Sequence, residues 1–217
     1  MLNEEHILIQ DTARRFARDS LAPIAAQLDA GANPEADRTL FLKNLHGLAE
    51  LGLMGLNVRA EYGGSEAGVV AFSLAITEIA RECASTAVTT SVTNMVGEVI
   101  QAIANEEQKL HYLPKLCSGE YHAGAFCLSE AGAGSDPASM KTRARRDGDE
   151  WVLNGAKMWI TSAEYAGVYV VWAVTDSDAA KGKGISCFLV EHGTPGLSVE
   201  RAEEKMGQHA SSTNRVL

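Results

Sequence analysis

Near residue 121 the sequence changes period, and that change constrains the fold more than any other feature. Before it, apolar residues recur at helical spacing; after it come short runs punctuated by glycine dipeptides. Asn3 is placed to cap a first helix, with Glu4 and Glu5 in its opening turn and Ile9, Ala13, Phe16 and Ala17 along one stripe. Pro23 marks a weak point near its end. A second stripe runs through Phe41, Leu45 and Leu48 and stops near Gly52; a third carries Phe72, Ile76, Ile79, Ala80 and Cys83; a fourth Val88, Val92, Met95, Val99 and Ile103. Such narrow stripes belong to a packed helical bundle.

From Cys117 to His122 onward, β-branched and aromatic residues take over. Asp147-Gly148 and Asn154-Gly155 read as hairpin turn pairs, because both positions tolerate positive φ. Strands are expected at 151–153, 157–161, 168–174, 185–191 and 197–201, with a polar loop over 176–184. Short strands without intervening helices argue for a small antiparallel barrel or sandwich. The fold class expected is therefore α+β and multi-domain, with an all-α bundle over 1–121 and a β domain over 122–217.

Charge and cysteine usage narrow the function. Nineteen Lys plus Arg against 28 Asp plus Glu give a formal net charge of −9, which argues against a nucleic-acid surface. Cys83, Cys117, Cys127 and Cys187 are scattered and the histidines lack ligand spacing, so free thiols and no metal are expected. The opening MLNEEHILIQ reads as neither a targeting segment nor a signal peptide, and no apolar run has membrane-spanning length.

The stretch FCLSEAGAGSD, residues 126–136, has the look of a ligand loop. Gly132-Ala133-Gly134 starts a G-x-G-x-x-G pattern, but Pro137 stands where the third glycine belongs and no crossover helix follows. Ser135-Asp136 cannot supply the lysine of a phosphate-binding P-loop. What remains is a strand entering a bend, with hydroxyls at Ser129 and Ser135 and glycines that let backbone N–H groups approach an anion. A plain surface turn uses the same residue types. Trp159-Ile160-Thr161 then places an indole and a hydroxyl on one face of a strand, a pairing that suits a planar heterocycle with polar edges; taken alone, Trp159 reads as core.

Together, FCLSEAGAGSD, the hairpin WVLNGAKMWIT and GISCFLVEHGTPGLSVERAEEKMGQHASSTNRVL resemble the acyl-CoA dehydrogenase family, as do EYGG at 61–64 and NEEQKLHYLPKLCSGE upstream. The resemblance spans essentially the whole chain and is nearest the short-chain enzymes. It implies a helical domain, a β domain and a second helical domain, with FAD between them, and a homo-oligomer, tetramer or dimer. It further implies an acyl-CoA substrate and an electron-transfer flavoprotein as partner. By position, the cofactor segment would be Phe126, Cys127, Leu128, Ser129, Glu130, Ala131, Gly132, Ala133, Gly134 and Ser135, joined by Trp159, Ile160 and Thr161. Ser129 would face the pyrimidine edge, Thr161 would lie near N5, and Ser135 would sit where flavin and acyl-CoA meet. Fixed donors there would stabilise the charge left on a reduced flavin.

Three positions depart from the family's usual pattern: Ala131 for proline, Ser162 for asparagine and His209 for arginine. The second helical domain, which in the family supplies the catalytic glutamate, is not within these residues, so no catalytic residue is assigned and a weak hold on FAD is expected of this piece. Glu130 and Glu164 read as solvated loop carboxylates. The activity implied is dehydrogenation of a short or branched acyl-CoA, in the bacterial cytoplasm or mitochondrial matrix. A same-fold acyl-CoA oxidase or flavin monooxygenase, or a non-catalytic module, are the alternatives.

Overall fold

The computed structural model describes residues 2–217. Its helices are α1 (Glu4–Phe16), α2 (Ala22–Ala30), α3 (Pro34–Glu50), α4 (Gly68–Glu82), α5 (Ala84–Ile103) and α6 (Glu106–Ser118). Strands follow as β1 (Ala123–Cys127), β2 (Arg143–Asp147), β3 (Glu150–Asn154), β4 (Lys157–Thr161), β5 (Ala166–Val174), β6 (Ile185–Glu191), β7 (Val199–Ala202) and β8 (Thr213–Val216). The chain forms two compact units. One comprises the residues up to Gly124 together with 204–211; the other comprises 125–203 with 212–217.

In the helical unit, Asn3 caps α1 as its sequence suggests, accepting from the His6 N–H at 2.8 Å. The winding loosens to a π-turn over Ala17–Leu21 before α2 starts with Pro23 in its first turn. The proline, which has no N–H to give, thus falls where the α-ladder has already been interrupted. α6 lies outside the four expected stripes; Pro114 sits within it, and a reciprocal capping box of Asn105 and Gln108 starts it.

The stripes on α4 and α5 are turned from the expected faces. On α4 the buried positions are Ala71, Ala75, Glu78 and Ile79, whereas Ala80 is exposed. On α5 they are mostly polar, including Thr86, Thr89, Thr90, Thr93 and Asn94, while Met95 and Ile103 of the expected stripe stand 38% and 55% exposed. The polar face is buried because its groups are satisfied. Thr90 Oγ1 donates to the Thr86 carbonyl at 2.8 Å, and Thr93 Oγ1 to that of Thr89 at 2.9 Å. Asn94 accepts from Leu56 N–H at 2.7 Å and donates to the Leu53 and Thr90 carbonyls at 3.0 and 2.9 Å. Small residues let the face close up: a Cβ on Gly97 would stand 2.9 Å from Val58 Cγ2, and one on Gly124 the same distance from Val96 Cβ. Buried Glu78 is likewise satisfied, taking Arg14 on both oxygens at 3.1 Å and Gln10 at 2.9 Å.

In the β unit, β5 pairs along Val168–Val174 with β6, antiparallel, and neighbours β1 and β2 in a five-stranded sheet completed by β3. β4, β8 and β7 form a second sheet. Ala125, Cys127, Tyr169 and Val171 from the first sheet pack with Ile160 and Val216 from the second, giving one core between two sheets. One contact, Arg143 with Val174, is parallel.

Of the two expected hairpins, β2–β3 closes as read, through Gly148 at φ +62°. The second does not form. β4 pairs with β8 rather than β3, so Asn154-Gly155 carries the chain from one sheet to the other. Glycine is needed there for room, since a Cβ would stand 2.7 Å from Thr142 Cα. β2, whose RARRD sequence lacks apolar alternation, and β8 are strands beyond those expected.

Asn94 is the test of the helical unit. Asn94→Ala leaves two buried backbone groups unpaired, costing about 2–4 kcal/mol and lowering Tm by on the order of 5–10 °C. Calorimetry on the two forms measures it; a shift under about 2 °C would show that the polar face of α5 is not a structural requirement.

Candidate functional site

Two sequence segments singled out for chemistry lie side by side. The Met158 N–H donates to the Ser129 carbonyl at 2.9 Å, and Lys157 Nζ donates to the Leu128 carbonyl at 3.1 Å. The end of β1 is thereby stitched to the start of β4, although about thirty residues separate them in sequence.

Beyond Ser129 the chain turns sharply. Glu130 N–H donates to the Ala133 carbonyl at 3.2 Å and Ala133 N–H returns to Glu130 at 3.0 Å, which puts Ala131 and Gly132 at the tip. Gly132 and Gly134 have ordinary negative-side backbone, and a Cβ at either would meet nothing within 4 Å. Neither backbone geometry nor packing within the chain therefore demands glycine at these exposed positions. Among the described residues, the N–H groups of Ala131, Gly132, Gly134 and Ser135 have no acceptor, and the hydroxyls of Ser129, Ser135 and Thr161 have no partner. The stretch presents unused donors on a bare backbone. It ends at Asp136, whose carboxylate takes Ser139 Oγ at 2.6 Å and Lys181 Nζ at 2.5 Å.

Glu130 anchors the bend and is not the solvated carboxylate expected. It is 8% exposed and accepts from Lys141 N at 2.6 Å, Thr142 N at 2.9 Å, Thr142 Oγ1 at 2.5 Å and Lys157 Nζ at 2.9 Å. Burial alone would push its pKa up. The Thr142 hydroxyl, the Lys141 N–H, the Lys157 ammonium and the Thr142 N–H outweigh this and hold it down at about 2.

The other expected contacts divide by side-chain direction. Cys127 and Ile160, 0% and 1% exposed, belong to the core and offer a ligand only backbone. Phe126 is half-buried against Trp172, ring centroids 6.2 Å apart. Trp159 is 59% exposed and has φ +62°, with a bulge in the β4–β8 pairing between Lys157 and Ile160. It is not a regular strand residue, and left-handed backbone at a bulky side chain is strained. The bulge turns the indole out while Ile160 stays in.

Beside the bend, a groove of about 740 Å³ is lined by Ala131, Gly132, Lys141, Arg143, Arg145 and Asn154, among others. Along the run into and through the start of β2, Lys141, Arg143 and Arg145 alternate with buried Thr142 and Ala144, and the register sets Arg143 opposite Asn154. Arg145 pairs with Asp147 at 3.4 Å, whereas among the described residues no ion pair involves Lys141 or Arg143. The groove complements anionic ligands. Sequence reasoning missed these cations; their signal is the K-x-R-x-R alternation of 141–145.

The acyl-CoA dehydrogenase N-terminal domain matches residues 3–120 and the acyl-CoA dehydrogenase middle domain residues 125–217. The chain is 40% identical over 211 residues to the mitochondrial short/branched chain specific acyl-CoA dehydrogenase of Rattus norvegicus, covering 97% of this chain and 47% of that protein. It is 42% identical over 218 residues to the mitochondrial short-chain specific acyl-CoA dehydrogenase of Bos taurus, covering 100% and 51%. An acyl-CoA dehydrogenase of Bacillus anthracis solved in complex with FAD superposes with a TM-score of 0.87 at 33% identity, covering 100% of this chain and 35% of that one. The chain spans about half the length of the curated relatives it matches. It belongs to the acyl-CoA dehydrogenase family.

The Glu130 cluster makes a pH prediction. A depressed carboxylate contributes stability above its unfolded pKa and loses it as pH falls through its folded value, so the window runs from about 4.5 down to about 2. Urea midpoints should fall steeply through that window, and Glu130→Gln should remove this part of the slope. At neutral pH the same substitution strands the Lys157 ammonium and should cost about 3–5 kcal/mol. An unchanged acid slope in Glu130→Gln contradicts the assignment.

Proposed function

We propose that this member of the acyl-CoA dehydrogenase family provides the flavin-facing half of a FAD-dependent enzyme. That enzyme converts a short or branched acyl-CoA thioester to the trans-2-enoyl-CoA and passes electrons to an electron-transfer flavoprotein. The reading extends to a homo-oligomer, tetramer or dimer, working in a bacterial cytoplasm or a mitochondrial matrix. The observation that carries it is the stitched pair of segments: unused N–H and hydroxyl donors from the bend beside an outward indole and hydroxyl from β4.

FAD, when bound, supplies the ring that accepts the substrate's β-hydrogen as hydride. Binding, orientation and exclusion of water fall to the chain's own residues. Ser129 and Thr161 hold hydroxyls ready for polar ring edges, with no intramolecular bond to break first. The Trp159 indole, turned out by its bulge, offers a flat apolar surface that excludes water. Ser135, exposed and unpaired at the end of the bend, is assigned to the acyl-CoA side. Lys141 and Arg143 complement the phosphate charge that FAD and CoA both carry.

Glu130 is not the base that removes the substrate's α-proton. A carboxylate held at about 2 and already accepting from four donors has neither the basicity nor a free lone pair directed to a substrate.

Titrating the intact protein with butyryl-CoA, isobutyryl-CoA and longer thioesters tests the proposal. Short or branched substrates should bleach the visible absorbance of the oxidised flavin without rapid reoxidation by oxygen. Absence of bleaching with every thioester, or reoxidation by oxygen faster than by an electron-transfer flavoprotein, sinks the dehydrogenase reading. Thr161→Ala should slow bleaching by about ten- to a hundredfold while the protein keeps its Tm.

A further inference from the structure

Residues 204–211 follow β7 and precede β8, yet they belong to the helical unit. We infer that His209 is a proton-operated latch that fastens this strap to the C-terminal end of α2. Its backbone N–H donates to Asp29 Oδ1 at 3.0 Å. Its ring Nδ1 faces the Asp29 carbonyl oxygen at 2.5 Å, and its ring Nε2 faces the Lys205 carbonyl oxygen at 2.7 Å.

Carbonyl oxygens only accept, so each ring nitrogen must carry a hydrogen for both contacts to be bonds. A neutral imidazole has one N–H and leaves the other nitrogen lone pair pointed at an oxygen. Only the imidazolium completes the arrangement.

The surroundings favour that cation. Asp29 is the penultimate residue of α2, where the last carbonyls lack helical partners and the dipole is negative. Gly31 N–H satisfies the Gln27 carbonyl, which leaves that of Asp29 open. The Asp29 carboxylate lies 3.7 Å from Nδ1. Lys205, on the strap itself, opposes the charge, but its ammonium is turned to the Ser211 carbonyl at 2.7 Å. The carbonyls of Asp29 and Lys205 and then the Asp29 charge raise the His209 pKa above its usual value, against partial desolvation and Lys205.

A raised histidine pKa gives a hold that is complete below about 6.5 and lost as pH rises through the folded value. Two further contacts of the strap do not involve the imidazole. The Lys205–Ser211 bond and the 3.2 Å hydroxyl contact of Thr89 with Ser211 keep its far end in place. Loosening is therefore confined to the stretch around 206–210.

Proton NMR titration of His209 and amide hydrogen exchange of the strap, both on the intact protein, decide the matter. The imidazole should titrate above 6.5, and protection of the His209 amide, corrected for intrinsic rates, should fall at least about threefold between pH 5.5 and 7.5. His209→Gln, with a single ring-like donor and no titration, should show the lower protection at both pH values. A titration at or below 6.5, pH-independent protection in the wild type, or retained pH dependence in His209→Gln overturns the latch. If the variant does not fold, the wild-type titration and exchange still decide.

Discussion

The β unit depends on one buried charge pair. Glu130 and Lys157, 8% and 3% exposed, meet at 2.9 Å, and the three other bonds to the carboxylate come from the Thr142 hydroxyl and the consecutive N–H groups of Lys141 and Thr142. Four pieces of chain converge there: the turn at 130–133, the run into β2, the start of β4 and, through the Leu128 carbonyl, the end of β1. Two apolar residues of similar volume could fill the same space. They could not dictate which amide meets which oxygen, and that registry is what leaves the donors of 131–135 facing outward instead of folding back on one another.

The helical unit meets the same requirement differently. A bundle buries what it can satisfy, and on α5 that is a row of threonines and one asparagine rather than the row of valines beside them. Thr90 and Thr93 satisfy themselves against their own helix, and Asn94 substitutes for secondary structure in the connection at 53–56. A hydropathy stripe counts Val92 as core and Thr93 as surface. The structure buries Thr93 fully and leaves Val92 half-buried, because the threonine hydroxyl finds its acceptor in the preceding turn of its own helix, while Ala87 and Gly97 supply the close approach.

Legibility in the sequence follows the range of the interaction. Helix ends set by local caps, such as Asn3, and the one tight turn at Gly148 are readable because their chemistry lies within three or four residues. Asn154-Gly155 misleads because the dipeptide reports a permissive backbone and not the partner strand; β8, some sixty residues on, claims β4 instead. Glu130 misleads for the same reason, its four donors coming from residues 11 to 27 positions away. The glycine-rich stretch and the Trp-Ile-Thr segment are readable as chemistry, yet the outward turn of Trp159 and the burial of Ile160 appear only with the bulge. The cations at 141, 143 and 145 stand in plain view as an alternation, hidden because Ala144 is the one apolar residue of β2 and too small to announce a strand.

The course of 204–211 bears on how halves of such proteins can be exchanged in evolution. A break at the sequence border near 124 does not separate the two units, since eight residues of the helical one are encoded after seven of the eight strands. A recombinant that inherits a foreign β half also inherits a foreign strap, whose side chains must meet Asp29 and Thr89 of a helical half they did not evolve with. A crossover at that border must therefore match a handful of strap residues as well as two cores, a demand that neither core makes by itself.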